Sequence, residues 1–213
     1  MVTLKLRQID FLPGQQFVLR EVSWQQFEAI LKELGEHRSS RVAYSHRTLK
    51  LMTPSPEHEI TKEIIGDLVK ILLEELGIDC ESFGSTTLKR QDLERGVEPD
   101  VSFYIENHKL MIGCDRLDLS VAPPPDLAIE IDLTSKTQLD TYEALGVREL
   151  WRLEKRCLTI YILSEGKYFK SSVSPTFPNL PILTIIPQYL EQARSSGRSS
   201  ALRAFREYLR QKI

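Results

Sequence analysis

Cysteine is scarce, with three residues in 213, at Cys80, Cys114 and Cys157. They are odd in number, widely spaced and without a Cys-x-x-Cys pair, which favours neither a disulfide framework nor a structural zinc site. They read instead as small, reduced core residues. The four histidines, His37, His46, His58 and His108, include no i, i+4 pair to hold zinc on a helix. No apolar run approaches the roughly 18 residues of a membrane span, and Met1 to Arg7 contain no apolar core of the secretory kind, so the expected location is the cytoplasm. An excess of one charge is also missing. Lys and Arg number 28 against 30 Asp and Glu, giving a net charge of -2 and a pI near 6.1. That balance argues against a protein that coats nucleic acid by bulk electrostatics. It leaves room for an enzyme that gathers acids around a metal and keeps its bases in one cleft. No internal repeat is visible.

What is present is an ordinary soluble composition, 41% hydrophobic and 27% charged, in a chain long enough for one domain with appendages. Ser23-Trp24-Gln25-Gln26 has the form of a capping box, and Trp24, Phe27, Ile30, Leu31 and Leu34 recur at helical spacing up to Gly35. Arg41 to Tyr44 and Thr48 to Met52 read as short strands. A longer helix begins near Ser55-Pro56 and runs to Leu76, with Ile60, Ile64, Leu68, Ile71, Leu72 and Leu76 on its apolar face. Ile78 to Phe83 and Thr86 to Lys89 read as strands, with Gln91 to Gly96 as a turn. Thr137 to Leu145 reads as a helix closed by Gly146, and Val147 to Leu153, Leu158 to Leu163 and Tyr168 to Ser172 as further strands. Pro175 to Pro187 reads as a Pro-rich connector, before terminal helices at Tyr189 to Arg194 and Ala201 to Lys212. The order implies an α+β fold, one mixed sheet flanked by helices. Residues 1–189 form the expected main domain with its N-terminal helix, and 190–213 a basic helical tail carrying Arg194, Arg198, Arg203, Arg206, Arg210 and Lys212.

Two segments set acids among otherwise buried strand residues: Val97 to Ile105, containing Glu98-Pro99-Asp100, and Leu127 to Asp132, containing Glu130. Ionised carboxylates sit on apolar strands when something compensates their burial, commonly a divalent metal. In the second segment Glu130 and Asp132 share one face by the two-residue strand period. If the two strands pair, Asp100 and Glu130 can meet around one cation.

Pro54-Ser55-Pro56-Glu57-His58, Gly96-Val97-Glu98-Pro99-Asp100, Ala128-Ile129-Glu130 and Gly146-Val147-Arg148-Glu149-Leu150-Trp151, in this order, resemble the Uma-type restriction endonuclease family of the PD-(D/E)XK nuclease superfamily, over roughly residues 20 to 190. The resemblance implies a restriction-endonuclease-like core and a Mg2+- or Mn2+-dependent DNA endonuclease, with Asp100, Glu130 and the Ile131 carbonyl as metal ligands. The superfamily pattern places lysine two residues after the second acid, where this chain has Asp132. The helix position used by many Uma-type sequences holds Gln138, so Lys136 or Gln138 is the expected partner of the acids. Glu63 or Glu59 could hold a second metal, although the stripe Glu59, Glu63 and Asp67 also suits solvated pairing with Lys62 and Lys70. Lys89, Arg90 and Arg95 could guide a phosphate backbone, or serve as charged strand edges. His58 could approach the cleft or cap its helix. Trp151 reads as core, and Tyr142 as packing the short helix on the sheet. Two other readings stand beside the nuclease. One is a catalytically silent binding protein of the same fold. The other is a homo-oligomeric, for example dimeric, module using Phe205, Tyr208 and Leu209.

Overall fold

The computed structural model describes residues 12–35, 38, 40–133 and 137–213. Helix α1 (Trp24–Leu34) starts with the reciprocal cap its sequence spells: the Ser23 hydroxyl accepts from the Gln26 N–H while the Gln26 side chain accepts from the Ser23 N–H. Trp24 and Phe27 on this helix pack with Val42, Tyr44, Leu49 and Leu51. The Phe27 and Tyr44 rings stack with centroids 4.5 Å apart. The strands below form an antiparallel sheet in the order β1 (Gln16–Leu19), β3 (Thr48–Met52), β2 (Arg41–Ser45), β6 (Arg95–Val97), β5 (Leu88–Arg90). Alternation along β3 buries Leu49 and Leu51 in this core and turns Lys50 and Met52 to the opposite face.

The second sheet has the order β11 (Lys167–Ser171), β10 (Cys157–Ser164), β9 (Glu149–Glu154), β8 (Leu127–Asp132), β7 (Val101–Tyr104), β4 (Glu81–Ser82). Of its pairings β8 with β9 is parallel and the rest are antiparallel. A parallel pair needs a crossover, which α4 (Leu139–Leu145) supplies, ending at Gly146 in the left-handed conformation with φ 80°. The main core joins this sheet to α2 (Pro56–Glu75), α5 (Ile182–Ser196) and α6 (Arg198–Arg210). A smaller core under α4 uses Ala128, Tyr142, Leu145 and Leu150. A one-turn helix, α3 (His108–Met111), lies between β7 and β8.

The chain crosses from one sheet to the other at Glu98-Pro99-Asp100. The Glu98 N–H bonds to the Val42 carbonyl of the first sheet at 3.1 Å, and the Asp100 N–H to the Ile129 carbonyl of the second at 3.1 Å. Pro99 sits between them, where the chain changes partners and a missing N–H costs no ladder bond.

The α+β class and the mixed sheet agree with the sequence pattern, and the difference is a second, antiparallel sheet. Arg95 and Gly96, expected to close a turn, instead join Val97 in β6 between β2 and β5. β1 and α3 were not anticipated. The expected connector ends early, because Ile182 opens α5 and Pro187 lies inside it. Interior proline removes one helix bond, but Ile182, Ile185, Ile186, Tyr189, Leu190 and Ala193 bury a face at three- and four-residue spacing, which outweighs it. The expected boundary at 189/190 falls within this helix, and both sides of it contribute to the main core. Ile60 is exposed rather than part of the α2 apolar face. Against the expectation of three core residues, Cys157 is exposed and Cys114 half-buried, while the half-buried Cys80 packs against the main core.

Candidate metal centre

The register of β7 against β8 pairs Val101 with Ile129, which brings Asp100, one residue earlier, across from Glu130. Both acids line one cavity of about 50 Å³ together with Asp132, Thr137, Arg41 and Lys50. Asp100 is buried and fully engaged. Its Oδ2 accepts from the Ile131 N–H at 2.7 Å, and its Oδ1 pairs with the Arg41 guanidinium. The His58 Nε2 lies 3.2 Å from the same Oδ2, yet neither ring nitrogen of this fully buried histidine has a well-aligned hydrogen bond. Arg41 also reaches Glu59 at 3.0 Å.

Glu130 keeps part of its surface open to the cavity. One of its oxygens accepts from the buried Tyr142 hydroxyl, which projects from α4. Burial first, and then the neighbouring Asp100 charge, push the Glu130 carboxyl well above the usual carboxylate range, while Tyr142 and Arg41 oppose the shift. Burial and Glu130 together raise the Tyr142 phenol in turn. Two carboxylates are thus held side by side at a cost that a cation would remove. Among the described residues no three His, Cys, Asp or Glu side chains form a metal-holding cluster. A divalent ion here would therefore draw on two carboxylates, backbone carbonyl and solvent or substrate oxygens, a hard donor set that fits magnesium or manganese. The Ile131 carbonyl accepts from the Leu133 N–H at 3.1 Å, which leaves one lone pair.

The remaining expected residues scatter around this pair. Asp132 accepts from the Thr137 N–H at 3.1 Å and hydroxyl at 2.6 Å, and pairs with Arg152 at 2.5 Å. It ties the end of β8 to Thr137, just before α4, and is already paired with a cation. Lys136 lies outside the described residues. Gln138 is the N-cap residue of α4 and makes no side-chain cap; its Oε1 is buried without a partner. Glu59 touches the site through Arg41 and also pairs with Lys62 at 2.7 Å. Glu63 is turned toward Lys62 and Arg198, at 3.9 and 3.7 Å. Asp67 is taken by Arg198 at 2.5 Å. Lys89 pairs with Glu28 at 2.8 Å and Arg90 with Asp92, on the wall of a groove of about 1300 Å³. Arg95 lies apart from that wall, beside His46. Trp151 is wholly buried, donating to Glu149 at 2.5 Å.

Sequence reasoning missed Arg41, Lys50, Arg152 and the hydroxyl role of Tyr142. It also missed Glu98, which is buried and accepts from the Val42 N–H at 3.0 Å and the Thr87 hydroxyl at 2.6 Å, besides pairing with Arg38. A charged residue at the inward end of an apolar strand, as in Arg41-Val42-Ala43-Tyr44, was the available signal for Arg41. The terminal apolar positions are spent within the chain: Phe205 and Leu209 are buried in the main core, and Arg206 and Arg210 pair with Glu75 at 2.7 and 2.8 Å. Among the described residues no helix is long and apolar enough to cross a membrane.

Fold and acid pair together describe an α+β protein of two sheets, with two acids facing each other where the chain enters the second sheet. The chain belongs to the Uma2 family, described as "putative restriction endonuclease", whose model matches residues 24–193. Among solved structures, the chain is similar to a protein from Anabaena variabilis described as a "putative nuclease belonging to DUF820". The two are 15% identical with a TM-score of 0.49, and the likeness covers 85% of this chain and 99% of that one. No curated protein matches.

Proposed function

We propose that the protein is a divalent-metal-dependent DNA endonuclease, working in the cytoplasm, that hydrolyses phosphodiester bonds at the Asp100 and Glu130 pair. One observation carries this reading: the two acids face each other where β7 pairs with β8, in a shared cavity, and Glu130 is destabilised as a carboxylate by burial first and then by the Asp100 charge. Membership of the family supports the reaction class. When bound, Mg2+ or Mn2+ supplies a Lewis acid for the phosphate and lowers the pKa of a water. The chain's own part is to hold the acids. The Ile131 N–H and Arg41 fix Asp100, and the Tyr142 hydroxyl fixes Glu130. Ligands held by such partners keep their orientation before substrate arrives. Glu59 is the nearer candidate for a second ion, because it reaches Arg41, whereas Glu63 faces Arg198.

A specific observation favours one other reading. Asp132 occupies the place of the superfamily lysine and is bound into the fold by Arg152 and Thr137, as in a chain that keeps the fold to bind rather than cut. The test is nicking of supercoiled plasmid by purified protein with Mn2+, stopped by EDTA and absent from Asp100→Asn prepared in parallel. Equal background in wild type and variant at every metal and salt, with DNA binding retained, selects the silent binder.

A further inference from the structure

The cavity below the acid pair has a second wall, the outward face of the first sheet. From that wall β3 contributes Lys50, which lies between Val18 of β1 and Ala43 of β2 in the strand register. Its neighbours Leu49 and Leu51 point into the core under α1, so the strand period fixes Lys50 on the cavity side. Among the described residues the other cations near the acids are committed. Arg41 bonds Asp100 and Glu59, and Arg152 bonds Asp132 and Glu154. Each acid is engaged as well, Asp100 by Arg41 and the Ile131 N–H, Glu130 by Tyr142, Asp132 by Arg152 and Thr137, and Glu98 by Arg38, Thr87 and the Val42 N–H. The Lys50 ammonium has no hydrogen bond or ion pair among the described residues, although it lines the same cavity as the four carboxylates of Glu98, Asp100, Glu130 and Asp132. An ammonium left spare beside paired acids is available to an incoming anion.

We propose that Lys50 is a catalytic residue, its ammonium meeting the scissile phosphate opposite Asp100 and Glu130 and supplying the positive charge that the Glu130 strand lacks at Asp132. The proposal rests on the nuclease reading above. In the step it serves, a water oxygen bonds to phosphorus and the ester oxygen leaves with the bonding pair. That oxygen takes up one proton, and the second water proton passes to solvent. Lys50 transfers no proton; it offsets the charge gathering on the phosphoryl oxygens, the part that fixed cationic donors play in such transition states. Coming from the opposite sheet, it reaches the phosphate without occupying a face of β8 that Glu130 and Asp132 already fill.

The experiment compares wild type, Lys50→Met, Lys50→Arg, Lys136→Met and Asp100→Asn in three measurements. These are plasmid nicking with Mn2+, the Mn2+-induced rise in melting temperature, and the salt dependence of binding to a short DNA duplex in Ca2+. Lys50→Met should slow nicking about 100-fold, the scale of one lost transition-state donor, while Lys50→Arg recovers much of it. The Mn2+ melting shift should persist or grow in Lys50→Met, because an ammonium repels the ion it sits beside. The salt slope of binding should fall by about one contact's worth, roughly 0.9. Wild-type nicking by Lys50→Met, with Asp100→Asn inactive, overturns the assignment and leaves the nuclease reading intact, as does a loss confined to Lys136→Met. Loss of the Mn2+ melting shift in Lys50→Met also overturns it, since the residue would then support the metal site. Wild type nicking no faster than Asp100→Asn overturns the nuclease reading and this role with it.

Discussion

Replacing Arg41 with methionine isolates the contact that neutralises Asp100 in the metal-free protein. The side chains of Arg41 and Asp100 are 10% and 2% exposed, and their pairing is supported on the acid side by the Ile131 N–H. Methionine keeps most of the length and apolar volume of arginine, so the principal change is an unpaired carboxylate below the surface. Removing one partner of a buried pair costs about 3–5 kcal/mol, which for a chain of this size lowers the melting temperature by about 6 to 20 °C. Two features separate this from general damage. In an Asp100→Asn background the same substitution should cost far less, because the stranded charge is gone; a coupling of about 1–3 kcal/mol in the double-mutant cycle is expected. Saturating Mn2+ should also raise the melting temperature of Arg41→Met more than that of wild type, since the ion then supplies the charge that arginine gave. The assay is thermal unfolding of four proteins with and without metal. Additive effects of the two substitutions would refute the argument that Arg41 acts on Asp100.

Glu130 gives a pH prediction whose sign is fixed by its raised carboxyl. The fold holds its proton more tightly than the unfolded chain does, so the associated stability is full below the ordinary carboxylate range and is lost as pH rises through the raised value. Metal-free Glu130→Gln should therefore unfold at a higher temperature than wild type at neutral pH, and the two should converge in acid. Gly96 packs so closely that an added Cβ would lie 2.8 Å from the Phe27 ring. Gly96→Ala should cost about 1–3 kcal/mol in chemical denaturation, largely recovered by Phe27→Leu. Phe205 is fully buried, with its ring 4.8 Å from that of Tyr189. Phe205→Ala should cost about 3–5 kcal/mol, and a loss under 1 kcal/mol would mean that residues 190–213 are a loosely attached tail.

Local signals carried most of the architecture. Ser23 and Gln26 announced α1, Pro56 announced α2, and the alternation of Leu127 to Asp132 announced β8, because caps and strand period depend on neighbouring residues alone. What was not legible depended on distant partners. Arg95 and Gly96 join Val97 in a strand because β2 and β5 flank them, which nothing within those two residues reveals. The terminal helices were misread at their start because proline is a strong local breaker, and Pro187 is tolerated through contacts with α2 and α6. At the candidate site the acids were visible as charges on apolar strands, and their strands pair in the register that brings them together. Arg41 showed only as a charge at the end of an apolar strand and Lys50 not at all, because both come from the other sheet and meet the acids by topology.

The central claim is that Asp100 and Glu130 jointly hold one divalent cation, and isothermal titration of metal-free protein with Mn2+ tests it most directly. Wild type should bind one ion per chain at this pair. Asp100→Asn and Glu130→Gln should each lose that binding while circular dichroism reports an intact α+β fold. Folded Glu130→Gln that binds Mn2+ with wild-type stoichiometry and affinity would contradict the account.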